Sequence, residues 1–346
     1  MENEWTNHKR NRGITLTLIF LALVIFILSC IVGRYELVSP LLLFKVMLNN
    51  VGFDFKIDSN IENIIQYIRF PRTLAALCIG GSLSLSGLMY QRLFNNPLVS
   101  PDILGVSAGC CVGAGIGILL GFNSSLIGIS AFVLGIISVL LSLALPRFFK
   151  NLSNLSMVLA GIIVGAFMNS IIAILKYVAD EKNKLSEITF WMMGSISSVS
   201  LLEIIQVIPF ILISFAVLYA CSIKIDIISQ GREASLSLGV NFSLVRGIVI
   251  FCATFLTASA VSLCGSVSWV GLVIPHITCT FMGVLSKNTI PASFLLGGIF
   301  TMIVDMIIRV FSTNEIPLSV VTGILGAIIY TVILARKGKQ LNEYSN

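Results

Sequence analysis

The stretch YIRFPRTLAAL, Tyr67 to Leu77, sets Arg69 and Arg72 on either side of Pro71, immediately before a long apolar run. Two guanidinium groups at such a boundary can bind carboxylates or phosphates in a fixed fork geometry, or can anchor an incoming membrane helix by snorkelling. Near the end of another apolar run, Asp305 and Arg309 stand four residues apart, the spacing that lets them pair on one helix face. Other chemistry is missing from the sequence. The two histidines are His8, near the start, and His276, beside Pro275, and there is no His-Glu-x-x-His pattern and no pair of mid-run aspartates. That removes the usual equipment of a membrane-embedded hydrolase, and leaves a structural hydrogen bond as the leading reading of His276. No Gly-x-x-x-x-Gly-Lys-Ser/Thr phosphate cradle occurs, so any ATP-driven work needs another subunit. The eight cysteines, Cys30, Cys78, Cys110, Cys111, Cys221, Cys252, Cys264 and Cys279, lie in or at the ends of apolar runs without zinc-like spacing. They read as small core residues, and no metal site or cofactor is expected.

A membrane bundle must position these groups. Of 346 residues, 56% are hydrophobic and 11% charged, where a soluble domain carries about 25% charged residues. Apolar blocks of about 20 residues, enough to cross ~30 Å of hydrocarbon, predict ten spans: 14–33, 70–90, 103–121, 126–145, 155–175, 201–223, 246–264, 267–286, 291–310 and 317–335. The expected fold class is an all-α polytopic membrane protein with about ten transmembrane helices in one bundle. An even count puts both termini on one side. With both cytoplasmic, 13 of the 22 Lys and Arg residues fall inside and 9 outside, the expected sign of bias. The net charge of +6 then reflects orientation, and no basic run with interleaved aromatics points to nucleic acid. Lys9, Arg10 and Arg12 precede the first span without a small-residue cleavage site after it, which reads as a retained span and not a signal peptide.

Between the first two spans, Arg34 to Ile68 forms the longest loop, and its LVSPLLLFKVML stretch is apolar but too short to cross. A second excursion, KYVADEKNKLSEITFWMMGSISSVS, is expected to hold a short docked helix. In the third span Gly105, Gly109, Gly113, Gly117 and Gly121 recur every fourth residue, a ridge that lets a neighbouring backbone approach and predicts a central helix. Gly80, Gly81, Ser82, Ser84, Ser86 and Gly87 in the second span, and Ala160, Gly161, Gly165 and Ala166 in the fifth, carry the same implication. QRLFNNPLVSPD is twice broken by proline, so its free backbone groups must be buried in protein or face water. Ion-coupled carriers need ionisable groups near the midplane. Here Asp305, Arg309, Lys176 and Glu203 sit at span ends and none falls mid-span, which argues against that class. Between spans six and seven, Gly231 and Gly239 bracket a stretch where Ala234 and Leu238 are four apart, enough for a turn or two of amphipathic helix, with an ordinary solvated loop as the alternative.

RFPRTLAALCIGGSLSLSGLMYQRLFNNPLVSPDILGVSAG, then SLSLGVNFSLVRG with GSVSWVGLVIPHITCTFMG, then DMIIRVFSTNEIPLSVVTGILGAIIY together resemble, in order, the permease subunits of ATP-binding-cassette importers for iron siderophores, haem and vitamin B12, the FecCD type. The resemblance spans nearly everything from Tyr67 onward. It departs at Glu315, Ile316, Pro317, Leu318 and Ser319, where the family commonly has Glu-Leu-Pro-x-Gly, and at Gly326, Ala327 and Ile328, where Gly-x-Pro is frequent.

The resemblance implies a transport subunit and not an enzyme, set in a bacterial plasma membrane. It implies two ATP-binding subunits, a second permease subunit, identical or paralogous, and an extracytoplasmic substrate-binding lipoprotein that delivers a ferric siderophore, with haem or vitamin B12 as alternative cargo. Matched by position, Arg69, Arg72 and Arg309 would engage the binding protein. Gly231, Glu233, Ala234, Leu238 and Gly239, within a coupling segment at 228–242, would meet the ATPases. Residues 14–335 then form the permease domain, flanked by cytoplasmic tails at 1–13 and 336–346, and spans five and eight to ten would line the pathway. Arg69 and Arg72, at what reads as a helix N-terminus, oppose the helix dipole, which favours a contact role over a stabilising one.

Overall fold

The computed structural model describes residues 2–33, 38–49, 52–53, 55–148, 154–284, 286–311 and 316–343. Arg34 and Glu315 lie outside the described residues, as do residues 344–346 of the C-terminal tail, whose remaining side chains are not described either. Every regular element among the described residues is helical. The chain opens with α1 (Glu2–Ile31) and the short α2 (Pro40–Asn49). Next, α3 (Ser59–Asn63) runs through a π-helical turn at Ile64–Arg69 directly into α4 (Phe70–Phe94). A 3-10 turn at Pro101–Leu104 leads to α5 (Val106–Leu120), α6 (Ser124–Phe148), α7 (Asn154–Val178), α8 (Lys184–Met193) and α9 (Leu201–Ala220). Two short helices, α10 (Ser222–Ile228) and α11 (Arg232–Ser237), precede α12 (Phe242–Cys264), α13 (Val270–Met282), α14 (Ser286–Phe311) and α15 (Leu318–Glu343).

A helix stands at each of the ten predicted spans. Seven helical stretches are long and apolar enough to cross a membrane unaided, while α5, α13 and the apolar part of α15 (Leu318–Ile333) are shorter. A 15-residue helix such as α5 rises only about 22 Å, and irregular chain at 95–105 makes up the distance. That chain is satisfied as its prolines require. Ser138 Oγ donates to Gly105 O at 2.8 Å, Ser142 Oγ to Leu104 O at 2.9 Å and Gln91 Nε2 to Val99 O at 3.3 Å. The two long excursions also fold back, α2 burying Leu43 and Val46 against Cys30 and Ile65, and α8 burying Ile188.

The hub is α4, the second span, one of the glycine- and serine-rich spans expected to be central. Of its most apolar window 83% is buried, against 72% for α12 and 33% or less for α6, α7 and α9. Helix association in lipid rests on close packing and interhelical hydrogen bonds, and α4 supplies both. Gly80 and Gly297 lie backbone to backbone, and a Cβ on Gly87 would collide with the Gly271 carbonyl. Ser84 meets Ser293 at 2.7 Å and Ser86 meets Thr257 at 2.7 Å. The ridge of α5 packs mainly on α6, with Gly105 also close to the Gly165 backbone of α7. A Cβ on Gly109 would lie 2.5 Å from Ser138 Cβ, and one on Gly113 would strike the Ser130 carbonyl. Gly105 and Gly121 end the ridge as caps with left-handed φ of 77° and 75°, where glycine is favoured for conformation. On α7, Gly161 packs against the Ile103 carbonyl and the Gly165 backbone lies close to Gly105, but only 28% of its most apolar window is buried, so within one subunit that helix is peripheral.

Gly113→Ala is expected to lower the stability of the purified chain by about 1–3 kcal/mol, the usual cost of overpacking, read by tryptophan fluorescence on heating. Gly247→Ala, where a Cβ meets open space, is the control and should leave stability unchanged or raised.

Candidate functional site

The C-terminus of α1, the N-terminal end of α4 and the C-terminus of α14 meet at one end of the bundle and bring together all three arginines singled out in the sequence. Asp305, 1% exposed, is the anion two of them share: Arg72 Nε donates to its Oδ1 at 2.7 Å, and Arg309 Nε lies 3.0 Å from its Oδ2. The second contact is an ion pair by distance without hydrogen-bond alignment. Arg309 Nη2 also donates to Ser29 Oγ at 2.5 Å, and Ser29 Oγ lies 2.9 Å from Thr73 Oγ1. Arg69 is 4% exposed and donates to Ile31 O at 2.7 Å and Cys30 O at 3.3 Å. The last carbonyls of α1, which have no partner within their own helix, are thus capped by a cation at the favourable end of that helix dipole. Gly33 is required there, since a Cβ on it would fall 2.5 Å from Arg69 Nη2.

This arrangement corrects one premise. Arg69 and Arg72 do not stand at a helix N-terminus, because the helix begins at Ser59 and the π turn carries it past Pro71. The dipole of α4 therefore does not penalise them, and Arg69 contributes to stability by capping α1. Among the described residues the cluster gathers three guanidinium groups, Arg72 and Arg309 on Asp305 and Arg69 on the α1 carbonyls.

At the opposite end, α4 finishes at Phe94 with Asn95 in the left-handed region, φ 47°. Arg92, 8% exposed, points from α4 to Asp226 on α10, with Nη1 to Oδ1 at 3.3 Å, and donates through Nη2 to Thr289 Oγ1 at 3.4 Å. The same carboxylate accepts from Ser286 N at 3.0 and 3.1 Å and from Ser286 Oγ at 2.5 Å, capping the N-terminus of α14. Asp226 and Arg92 carry no spacing signal in the sequence. From this anchor the chain runs into α11 between Gly231 and Gly239, with φ of 104° and 69°. Ser235 is buried and its hydroxyl donates to Gly231 O at 2.7 Å. Ala234 is half-buried and Glu233 exposed, while Leu236 and Leu238 stand 63% and 59% exposed.

Between the two ends lies a group the sequence reading placed in a loop. Asp102 lines a cavity of about 210 Å³ together with Leu83, Ser100, Ser268 and Trp269, and Leu83 is close to the middle of α4. A carboxylate therefore does reach mid-depth, carried there by the irregular 95–105 chain. It accepts from the Ser107 backbone N at 3.2 Å and from the Ser107 hydroxyl, which caps α5. Trp269 and His276 on one side each meet Tyr330 of α15, with ring centroids 6.2 and 6.3 Å apart. Hydropathy hides this aromatic row, because its members come from two helices. Among the described residues, no group of three or more His, Cys, Asp or Glu is placed to hold a metal ion.

The profile of the FecCD transport family matches residues 21–336. The molybdate import system permease MolB of Haemophilus influenzae is 32% identical over 333 residues, 96% of this chain and 97% of that protein. A protein named as the probable iron chelatin transport system permease of Helicobacter pylori strain 26695 is 34% identical over 278 residues, 80% of this chain and 84% of that one. A solved inward-facing structure assigned to the metal-chelate type of ABC transporter superposes with a TM-score of 0.84 at 30% identity, covering 94% of this chain and 99% of that chain.

Proposed function

Because the chain belongs to the FecCD transport family and is an ABC-importer permease of a bacterial plasma membrane, we propose that it carries an iron(III)–siderophore complex. In this reading the arginine end faces outward and receives a loaded binding protein, and the α10–α11 end faces the ATPases. The observation that carries the cargo is the mid-depth surface: Asp102, Ser100 and Ser268 beside Trp269, with no Lys or Arg among the described residues that line the cavity. A carboxylate without a cation repels a free dianion and tolerates a neutral or cationic organic chelate, whose flat groups the Trp269, His276 and Tyr330 rings can contact. Likeness to the molybdate permease favours molybdate as a second reading. Reconstituted with its partners, the permease should accumulate radioiron presented as a ferric siderophore and not radiolabelled molybdate; molybdate uptake alone would overturn the cargo.

Delivery uses the guanidinium groups gathered in the arginine cluster. Carboxylates on the two lobes of a binding protein would steer it onto this end and fix its register, the main contribution of complementary charge at an interface. Arg72 and Arg309 each expose about a tenth of their side chain, so contact is made along guanidinium edges. A charge-reversing change at Arg69 would place a carboxylate against the α1 carbonyls and damage the fold. Arg72→Gln with Arg309→Gln keeps donors for Asp305 while removing both charges. This pair is expected to weaken binding-protein affinity about tenfold or more at low salt, a loss of roughly 1.4 kcal/mol, measured by surface plasmon resonance on nanodiscs. Unchanged affinity would sink the docking role.

The ATPase contact is assigned to Leu236 and Leu238 on the Gly231–Gly239 segment, an apolar surface left 63% and 59% exposed by the described residues. ATP-driven closure of the ATPase pair would push α10 and α11, and Asp226 would pass the displacement to α4 and α14, so that the cavity changes side. Leu236→Asp with Leu238→Asp should abolish co-purification of the ATPase subunits while leaving the permease itself folded. Normal co-purification would count against this surface.

A further inference from the structure

A second and larger cavity, about 760 Å³, lies between α6, α8, α9 and the C-terminal end of α12, near the arginine end, and shares no lining residue with the mid-depth cavity beside Asp102. Its volume is that of a small-molecule site. Its chemistry is divided by depth. Glu187, Glu203 and Gln206 occupy the rim, where α8 and the first turns of α9 lie, and Phe132, Trp191 and Phe210 form the wall below. That wall is firm, with Phe132 and Phe210 4.8 Å apart and both packed on Phe255 at 5.8 and 5.5 Å. At the mouth Ile129 and Val133 are 47% and 44% exposed, so the groove opens sideways toward hydrocarbon.

We propose that this groove holds one phospholipid of the adjacent leaflet whose headgroup carries an ammonium, phosphatidylethanolamine being the simplest. Two features select this occupant. From Glu203 to Phe210 on α9 the groove descends about 10 Å, within the ~15 Å of one leaflet's acyl region, so a chain fits along the aromatic wall. Among the described residues the lining contains two carboxylates and no Lys or Arg, which is complementary to an ammonium and unfavourable to a headgroup that is only anionic. Gln206 and the rim serines supply donors for the phosphate.

The test is native mass spectrometry of the full-length detergent-purified permease after equal loading with phosphatidylethanolamine or phosphatidylglycerol. One retained phosphatidylethanolamine is expected, with a preference of about fivefold or more from two half-exposed charge pairs. Glu187→Gln with Glu203→Gln should erase the preference. Glutamine also serves at the third position of a capping box, so the Ser200 cap on α9 survives. Ile129→Trp, which fills the mouth, should abolish retention of either lipid while the thermal midpoint holds. Equal retention of both lipids by the unmodified protein, or a preference unchanged in the glutamine variant, overturns the proposal. Displacement of the lipid by a ferric siderophore would assign the groove to cargo and overturn it equally, whatever the uptake assay shows.

Discussion

Asp305→Ala is expected to cost the purified permease about 3–5 kcal/mol, the usual consequence of removing one partner from a buried ion pair, and more than removal of either arginine that pairs with it. The asymmetry follows from the geometry. Asp305 is 1% exposed and is shared by Arg72 and Arg309, so its loss removes at once the carboxylate that both guanidinium groups are paired with. Loss of Arg72 leaves Asp305 paired with Arg309, and loss of Arg309 leaves it with the 2.7 Å bond from Arg72. Arg72→Met and Arg309→Met should therefore each shift the thermal midpoint less than Asp305→Ala. Asp305→Asn, which retains volume and an acceptor, should fall between. A midpoint for Asp305→Ala no lower than that for Arg72→Met would show that the carboxylate is not the centre of the cluster.

Much of this architecture is legible in the sequence because the bilayer restricts the answer. Each crossing must be a helix of about 20 apolar residues, so hydropathy alone locates ten helices, including those too short to cross unaided. Asp305 and Arg309 are legible as a pair for the same local reason, being one helical turn apart. Arg72 is not, since its partner lies 233 residues away, and no periodicity encodes a contact at that distance. Pro71 misleads in an instructive way. Proline is common in the first turn of a helix, so the sequence reads as a helix start. The π turn at Ile64–Arg69, where Phe70 N donates five residues back to Ile65 O, shifts the hydrogen-bond ladder just before the residue that has no donor. The helix continues, and Arg69 is placed against α1 as a cap. Asp102 escapes notice similarly, because residues between predicted spans are assumed to lie at the surface and not halfway down.

The other end of α4 should give the clearest separation of transport from ATP hydrolysis. Asp226 ties α10 to two helices at once, to α4 through Arg92 and to α14 through the backbone and hydroxyl of Ser286. Those two helices pack backbone to backbone at Gly80 and Gly297 and join again at Ser84 and Ser293, then end together at the Arg72–Asp305–Arg309 cluster. A push on α10 thus reaches the opposite end of the bundle through a pair that cannot slide without breaking close contacts. Asp226→Ala removes the tie, strands a cation that is 8% exposed and uncaps α14, whose N-terminus is stabilised by a carboxylate. The expected result in the reconstituted transporter is cargo uptake reduced about tenfold or more, equivalent to 1.4 kcal/mol or more of lost coupling, while ATP hydrolysis continues. Asp226→Asn, still able to accept from Ser286 but uncharged toward Arg92, separates the two functions of the residue. It should keep the thermal midpoint near that of the unmodified protein and still lower the ratio of cargo moved to ATP hydrolysed. A wild-type ratio in a correctly assembled Asp226→Ala complex would mean that the displacement bypasses α10, leaving the α11 surface to drive α12 directly.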